Sequence, residues 1–159
     1  MSESVRIKIR SVRYEVEASL FSEDGEGCGE LVALEDAEPE TVEINTVGRL
    51  SEENGRIEIS YEETEVTGME GSTTAVSYEP SQSGLVTMLR EGVVSTALVF
   101  EEGKRHHCLY NTPFMPFQVC VHTLKVDNRL SEDKLLELDY VVEIRGAQAE
   151  RTKFRLELL

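Results

Sequence analysis

The sequence predicts an all-β fold, a single antiparallel up-and-down barrel of about 8–10 strands. Three observations predict it. Apolar and polar residues alternate with period two along most of the chain, and no amphipathic helix interrupts them. The alternation leaves one face apolar and the other charged, as in antiparallel sheet with one side in water. Gly-containing breaks recur at hairpin spacing, for example at Glu91–Gly92 and Glu102–Gly103. A sandwich is the alternative architecture. The chain has 159 residues, 40% hydrophobic and 30% charged, which suits one folded domain over 1–159 with a core of its own.

The first strand is irregular. Val5, Ile7 and Ile9 are apolar at odd positions, whereas Val12, Tyr14, Val16, Ala18 and Leu20 are apolar at even ones. A one-residue slip moves every side chain to the other face, so a β-bulge or corner is expected near Arg10–Ser11. Residues 22–40, SEDGEGCGELVALEDAEPE, form an acidic, Gly-containing loop in which Cys28 is an exposed free thiol. Strands are then expected at 41–48, 55–63, 73–80, 85–90, 93–102, 105–112, 116–127, 134–146 and 150–158. The clearest is LLELDYVVEI, with Leu136, Leu138, Tyr140, Val142 and Ile144 on one face and Glu137, Asp139 and Glu143 on the other. Residues 55–63 align Ile57, Ile59 and Tyr61, and the last strand aligns Phe154, Leu156 and Leu158.

Sixteen basic against 31 acidic residues give a formal charge of −15. Such a field repels phosphate backbones and anionic lipid, so neither nucleic acid nor membrane is an expected partner. Solubility explains the charge; a cationic partner or substrate is the other reading. The N-terminal stretch has no continuous apolar run, which argues against a signal peptide. Three cysteines do not complete a secreted disulfide framework. A cytoplasmic protein with reduced thiols is expected.

ISYEETEVTGMEGSTTAVSYE (59–79), the REG turn (90–92), LVFEEGKRHHCLYNTPF (98–114) and the final pair of alternating strands together resemble the YwiB-like family of small bacterial proteins. The resemblance runs from about residue 42 to the C-terminus. It implies a calycin-type β-barrel similar to lipocalins and fatty-acid-binding proteins, and it implies no activity. The sequence departs from the family at the Tyr–x–Thr–Pro–Phe turn, where Met115 and Pro116 follow in place of a Gly that would supply positive φ.

Three constellations are candidates for chemistry. RHHCLYNTPFMPFQVCVH (105–122) carries all three histidines and two of the three cysteines. With a loop at 113–115, Cys108 faces Cys120 and His106 faces His122, so the four lie on one face as a possible zinc set. Against this, His-x-Cys is an unusual ligand spacing, a one-residue shift destroys the cluster, and the opposite parity (Leu109, Phe117, Val119, Val121) supplies a core face. On that reading the four project outward into solvent. A cross-strand Cys108–Cys120 disulfide depends on the same register. Second, Glu63 shares the parity of Ile57, Ile59 and Tyr61, and an inward carboxylate needs a partner; Arg90, on the parity of Val86 and Met88, is the candidate. The pair either closes one barrel end or fixes a polar group of a ligand at a barrel mouth. Third, TGMEGSTT (67–74) is a Gly-punctuated connection that lacks the Lys and helix N-terminus of a phosphate-cradling loop.

No G-x-S-x-G, H-E-x-x-H or GK[ST] motif is present. A non-catalytic module is therefore expected, without a cofactor, binding a small amphipathic or apolar ligand inside the barrel. Ile57, Ile59, Tyr61, Val119, Tyr140 and Val142 are expected to line the interior. The expected binding residues are Tyr61, Glu63, Arg90, Tyr110, Thr112, Phe114 and Tyr140. The alternatives are a packed barrel acting through its surface, for instance as a homo-oligomer, and a metal or redox site on the His/Cys hairpin.

Overall fold

The structure is a computed structural model that describes residues 2–16, 39–63, 71–92, 95–113, 115–144 and 149–159. Ten antiparallel strands follow one another in chain order: β1 (Ser2–Val16), β2 (Glu40–Glu53), β3 (Arg56–Glu62), β4 (Thr73–Tyr78), β5 (Leu85–Glu91), β6 (Ser95–Glu101), β7 (Arg105–Asn111), β8 (Pro116–Arg129), β9 (Leu135–Ile144) and β10 (Ala149–Leu158). Each pairs with its sequence neighbours, and β1 pairs with β10 to close the barrel. Closure removes the unpaired edges that alternating strands would otherwise expose. The expected ten segments are the ten strands. Cys28 and most of the expected loop at 22–40 lie outside the described residues, as do Gly68 and Met69.

In a meander the connections alternate between the two ends. The end bearing the β2–β3, β4–β5, β6–β7 and β8–β9 connections is closed by apolar side chains. Ile7, Ile59, Val76, Val86, Phe100, Leu136 and Leu156 have essentially no solvent exposure there. A single helical turn, α1 (Leu130–Asp133), adds Leu130 to the plug, and Ser131 Oγ lies 3.2 Å from the Tyr78 hydroxyl. Asn128 Nδ2 donates to the Ser83 carbonyl at 3.1 Å and ties β8 to the β4–β5 connection. The β2–β3 turn is Asn54–Gly55, with φ of +54° and +77°. Two positive φ values in succession match the right-handed twist of a two-residue hairpin, and Asn–Gly is the pair that adopts them most cheaply. Gly48 permits a close approach: a Cβ on it would run into Ile7 Cδ1 and the Ser60 carbonyl oxygen.

The expected bulge in β1 is absent. β1 pairs without interruption with β2, from Ser2↔Ser51 to Arg13↔Glu40, and with β10, from Ile7↔Leu158 to Val16↔Ala149. Odd positions therefore face inward throughout, so Ser11, Arg13 and Glu15 continue the face begun by Val5, Ile7 and Ile9. Of the even apolar residues, Tyr14 finds cover outside the barrel. Tyr14 packs with Leu124 against buried Val141 and Ala149, and the Arg151 guanidinium sits 5.9 Å from the Tyr14 ring centre. Arg151 is fixed by two bonds to the Asp139 carboxylate, at 2.9 and 2.6 Å. A register shift does occur in β8, between Thr123 and Lys125. Thr123 N–H and carbonyl reach the β6–β7 turn there, bonding Lys104 O at 3.1 Å and Gly103 N at 2.9 Å.

The β7–β8 hairpin corrects the expected loop. Asn111 pairs with Pro116, so the loop is 112–115 rather than 113–115. The Thr112 hydroxyl closes it, donating to the Met115 carbonyl at 2.8 Å and accepting from Met115 N–H at 3.2 Å. Pro116, without an N–H, is tolerated as the first residue of its strand. Cys108 consequently lies opposite Val119, and Cys120 opposite His107. Cys108 and His106 share the inward parity of Val119 and Val121, whereas Cys120, His122 and the half-exposed Leu109 point outward.

Candidate functional site

The interior divides into two halves. Below the level of Met88, Leu98 and Val119 it is filled. Above that level a cavity of about 340 Å³ opens toward the other end of the barrel, where the β1–β2, β3–β4, β5–β6, β7–β8 and β9–β10 connections lie. Ile9, Ile44, Met88, Leu98, Val119 and Phe154 supply its apolar wall.

Register places a row of polar side chains directly above that wall. Tyr61 pairs with Thr74, Thr74 with Arg90, Arg90 with Thr96, and Thr96 with Tyr110. All five share the inward parity of their strands, so the row crosses β3 to β7 without a break. Glu63, one step beyond the end of β3, joins it. Its backbone N–H donates to the Ser72 carbonyl at 2.8 Å. Its carboxylate accepts from the Thr74 hydroxyl at 2.7 Å and lies 3.6 Å from Arg90 Nη2. Arg90 Nε in turn donates to Thr74 Oγ1 at 3.2 Å. The Glu63 side chain is only 2% exposed and that of Arg90 14%. The pairing expected from parity is present, and a three-member network satisfies the buried charge, as a low-dielectric site requires.

The facing wall is also polar near the mouth. Ser11, Arg13 and Glu15 enter from β1, and Glu150 and Thr152 from β10. Tyr140 stands between the two walls. Its hydroxyl bonds Thr152 and feels the charges of both Arg90 and Glu150. Its ring packs against Phe100 with centroids 4.6 Å apart. Burial pushes the Tyr140 hydroxyl up to about 12. Burial, reinforced by the Glu63 carboxylate, pushes that of Tyr61 higher still. Both phenols are therefore neutral hydrogen-bonding groups at ordinary pH.

Of the residues expected to bind, Tyr61, Glu63, Arg90, Tyr110 and Tyr140 surround the cavity. Thr112 belongs to the β7–β8 turn and does not line it. Phe114 lies outside the described residues. Ile57 and Ile59, expected to line the interior, pack lower in the core, whereas Val119, Val142, Tyr61 and Tyr140 line the cavity. Ser11, Arg13, Glu15, Glu150 and Thr152 were not expected. Continuing the odd parity of β1 past Arg10 would have found the first three, and the even parity of Phe154 and Leu156 the other two.

The His106, Cys108, Cys120 and His122 set is not assembled. Cys108 and Cys120 are free and on opposite faces of the sheet, which excludes the shared ligand face and the cross-strand disulfide together. His106 Nε2 lies 3.3 Å from Glu101 Oε1. No group of three or more His, Cys, Asp or Glu among the described residues is placed to hold a metal ion. No helix among them is long and apolar enough to cross a membrane.

Comparison with known proteins places this barrel. The crystal structure of the ywiB protein from Bacillus subtilis is similar, with a TM-score of 0.62 at 15% sequence identity over 98% of this chain and 93% of that one. At that identity the likeness concerns the fold alone. A search of curated proteins gives no match. Residues 31–156 match the family described as a domain of unknown function (DUF1934). The chain belongs to that family, and its fold is a closed ten-stranded antiparallel barrel.

Proposed function

We propose that the protein is a non-catalytic binding module that holds one small, partly apolar molecule in the open half of the barrel. The observation that carries this reading is the cavity of about 340 Å³ with its apolar wall below and its polar row above. That volume falls at the small end of the roughly 300–1,000 Å³ of small-molecule sites. A few converging polar groups over apolar side chains is the composition that orients such a ligand. Two further features favour binding over catalysis. Glu63 is already engaged by Thr74 and Arg90. No His or Cys is among the described lining residues to serve as a nucleophile or base.

The test is NMR titration with six-carbon probes that share a tail and differ in head group: n-hexanol, n-hexylammonium and hexanoate. Binding in the cavity shifts the methyl signals of Ile9, Ile44, Met88, Leu98 and Val119 and leaves those of the closed end, such as Val86, in place. If none of the probes moves the cavity methyls at millimolar concentration, the reading fails. A native mass spectrum of the freshly purified protein provides a second readout, a bound small molecule released on denaturation.

A further inference from the structure

We infer that the molecule this cavity takes is an organic cation, an apolar body carrying an ammonium group. The inference rests on the binding reading and adds the sign of the ligand's charge.

The charges around the cavity are unevenly committed. Arg90 is engaged by Glu63 and Thr74. Arg13 is engaged by Glu40, at 3.4 Å. Glu15 and Glu150 are the remaining charged groups of the lining, and they stand directly opposite each other across β1 and β10. Neither has an ion-pair partner among the described residues. Two carboxylates in one cross-strand pair repel and destabilise the sheet. Both turn toward the cavity, and a cation placed between them would offset that repulsion.

The walls are suited to the same guest. Three of the chain's five tyrosines, Tyr61, Tyr110 and Tyr140, line this one cavity together with Phe154. Aromatic faces attract ammonium groups through the ring quadrupole, more strongly where water is excluded. Because the Tyr61 and Tyr140 hydroxyls stay protonated, these rings keep that neutral face at physiological pH. The net charge of the chain acts in the same sense. The chain as a whole carries 31 acidic against 16 basic residues, a formal charge of −15. A negative field around an opening concentrates cations and repels anions.

Isothermal titration of the full chain with the three six-carbon probes, at low salt and pH 7, tests the sign. n-Hexylammonium is expected to bind about tenfold more tightly than n-hexanol, a difference of about 1.4 kcal/mol, with hexanoate weakest. In the double variant Glu15→Gln/Glu150→Gln the ammonium and the alcohol are expected to bind alike. Removing the opposed charges should not lower the melting temperature, so the variant remains a folded reference. Equal binding of alcohol and ammonium to the wild-type protein, or tighter binding of hexanoate, overturns the inference and leaves the binding reading standing. A double variant that keeps the full ammonium preference also overturns it. Absence of binding by all three probes overturns both.

Discussion

The two ends of this barrel are built from the same strands and do opposite work. At the closed end most inward positions are aliphatic or aromatic, α1 caps the opening, and the largest side chains are sealed from water. At the open end the same strands turn inward Ser11, Arg13, Glu15, Thr74, Arg90 and Thr152. The difference teaches where the fold's stability resides. Burial of apolar area is concentrated below the level of Met88 and Leu98, and that leaves the upper half free to carry charges and empty space that a core could not hold.

Phe100→Ala should break the comparison most visibly. The ring is fully buried and packs against Tyr140, so its removal should cost about 3–5 kcal/mol in transfer free energy and cavity formation. Thr96→Ala, in the polar row of the same strand, should cost only about 1 kcal/mol, the value of its bond to the Leu109 carbonyl. Urea unfolding of the two variants measures the contrast. Equal losses would mean that stability is spread evenly along the barrel axis.

The next effect arises from alkaline pH and reads the buried phenols between the two halves. Tyr140 titrates at about 12 in the folded protein, and Tyr61 is raised further, both chiefly by burial. In the unfolded chain tyrosine ionises near pH 10. Between these values the unfolded state has released protons that the folded state retains, so rising pH favours unfolding. The stabilisation is complete below about pH 10 and is lost as pH climbs toward the folded values. From pH 9 to 11 the two tyrosines together should remove about 2–3 kcal/mol, and Tyr140→Phe should remove about half of that dependence. Urea midpoints at the two pH values provide the measurement. An unchanged pH dependence in Tyr140→Phe would show that its hydroxyl is hydrated rather than buried.

Gly48→Ala probes the closed end by addition rather than removal. The new methyl would meet the Ile7 side chain, which can move, and the Ser60 carbonyl, which is backbone. An overpacking cost of about 1–3 kcal/mol is expected, again from urea unfolding. A cost near zero would mean that β2 and β3 can separate there without loss.

Strand number, strand order and the inward parity of β3, β9 and β10 were legible because one uninterrupted alternation carries each of these strands, whereas in β5 Leu85 and Leu89 compete with Val86 and Met88 for the inward face. Two parity switches show where legibility stopped. In β1 the apolar residues change from odd to even after Ile9, and in β8 they change from Val119 and Val121 to Leu124 and Val126. The patterns are equivalent, yet only β8 has the bulge. In β1 the pairing runs unbroken, and the switch marks the height at which the barrel interior becomes polar and a small outer cluster around Tyr14 becomes apolar. Hydrophobic pattern reports which side chains avoid water, and it equals geometry only where one face is dry along its whole length. The β7–β8 hairpin failed for another reason. Its register depends on whether the Thr112 hydroxyl joins the loop, a single local bond that no alternation encodes. That one-residue difference moved Cys108 from the side of Cys120 into the core.

Ser11→Leu carries the smallest change in stability and the sharpest test of the two halves. The continuous register of β1 aims residue 11 into the cavity opposite Phe154. A leucine there should add apolar contact along the cavity wall and remove a hydroxyl from it. The two effects oppose, so stability should stay within about 1 kcal/mol of wild type. Binding should not be spared. The added volume occupies part of a cavity of about 340 Å³, and affinity for n-hexylammonium should fall at least about tenfold, since 1.4 kcal/mol of lost contact is enough to do so. Val12→Leu, one residue along on the outer face, should leave binding unchanged. If the two variants exchanged behaviour, β1 would carry the bulge its sequence suggests, and the polar half of the barrel would have a different lining.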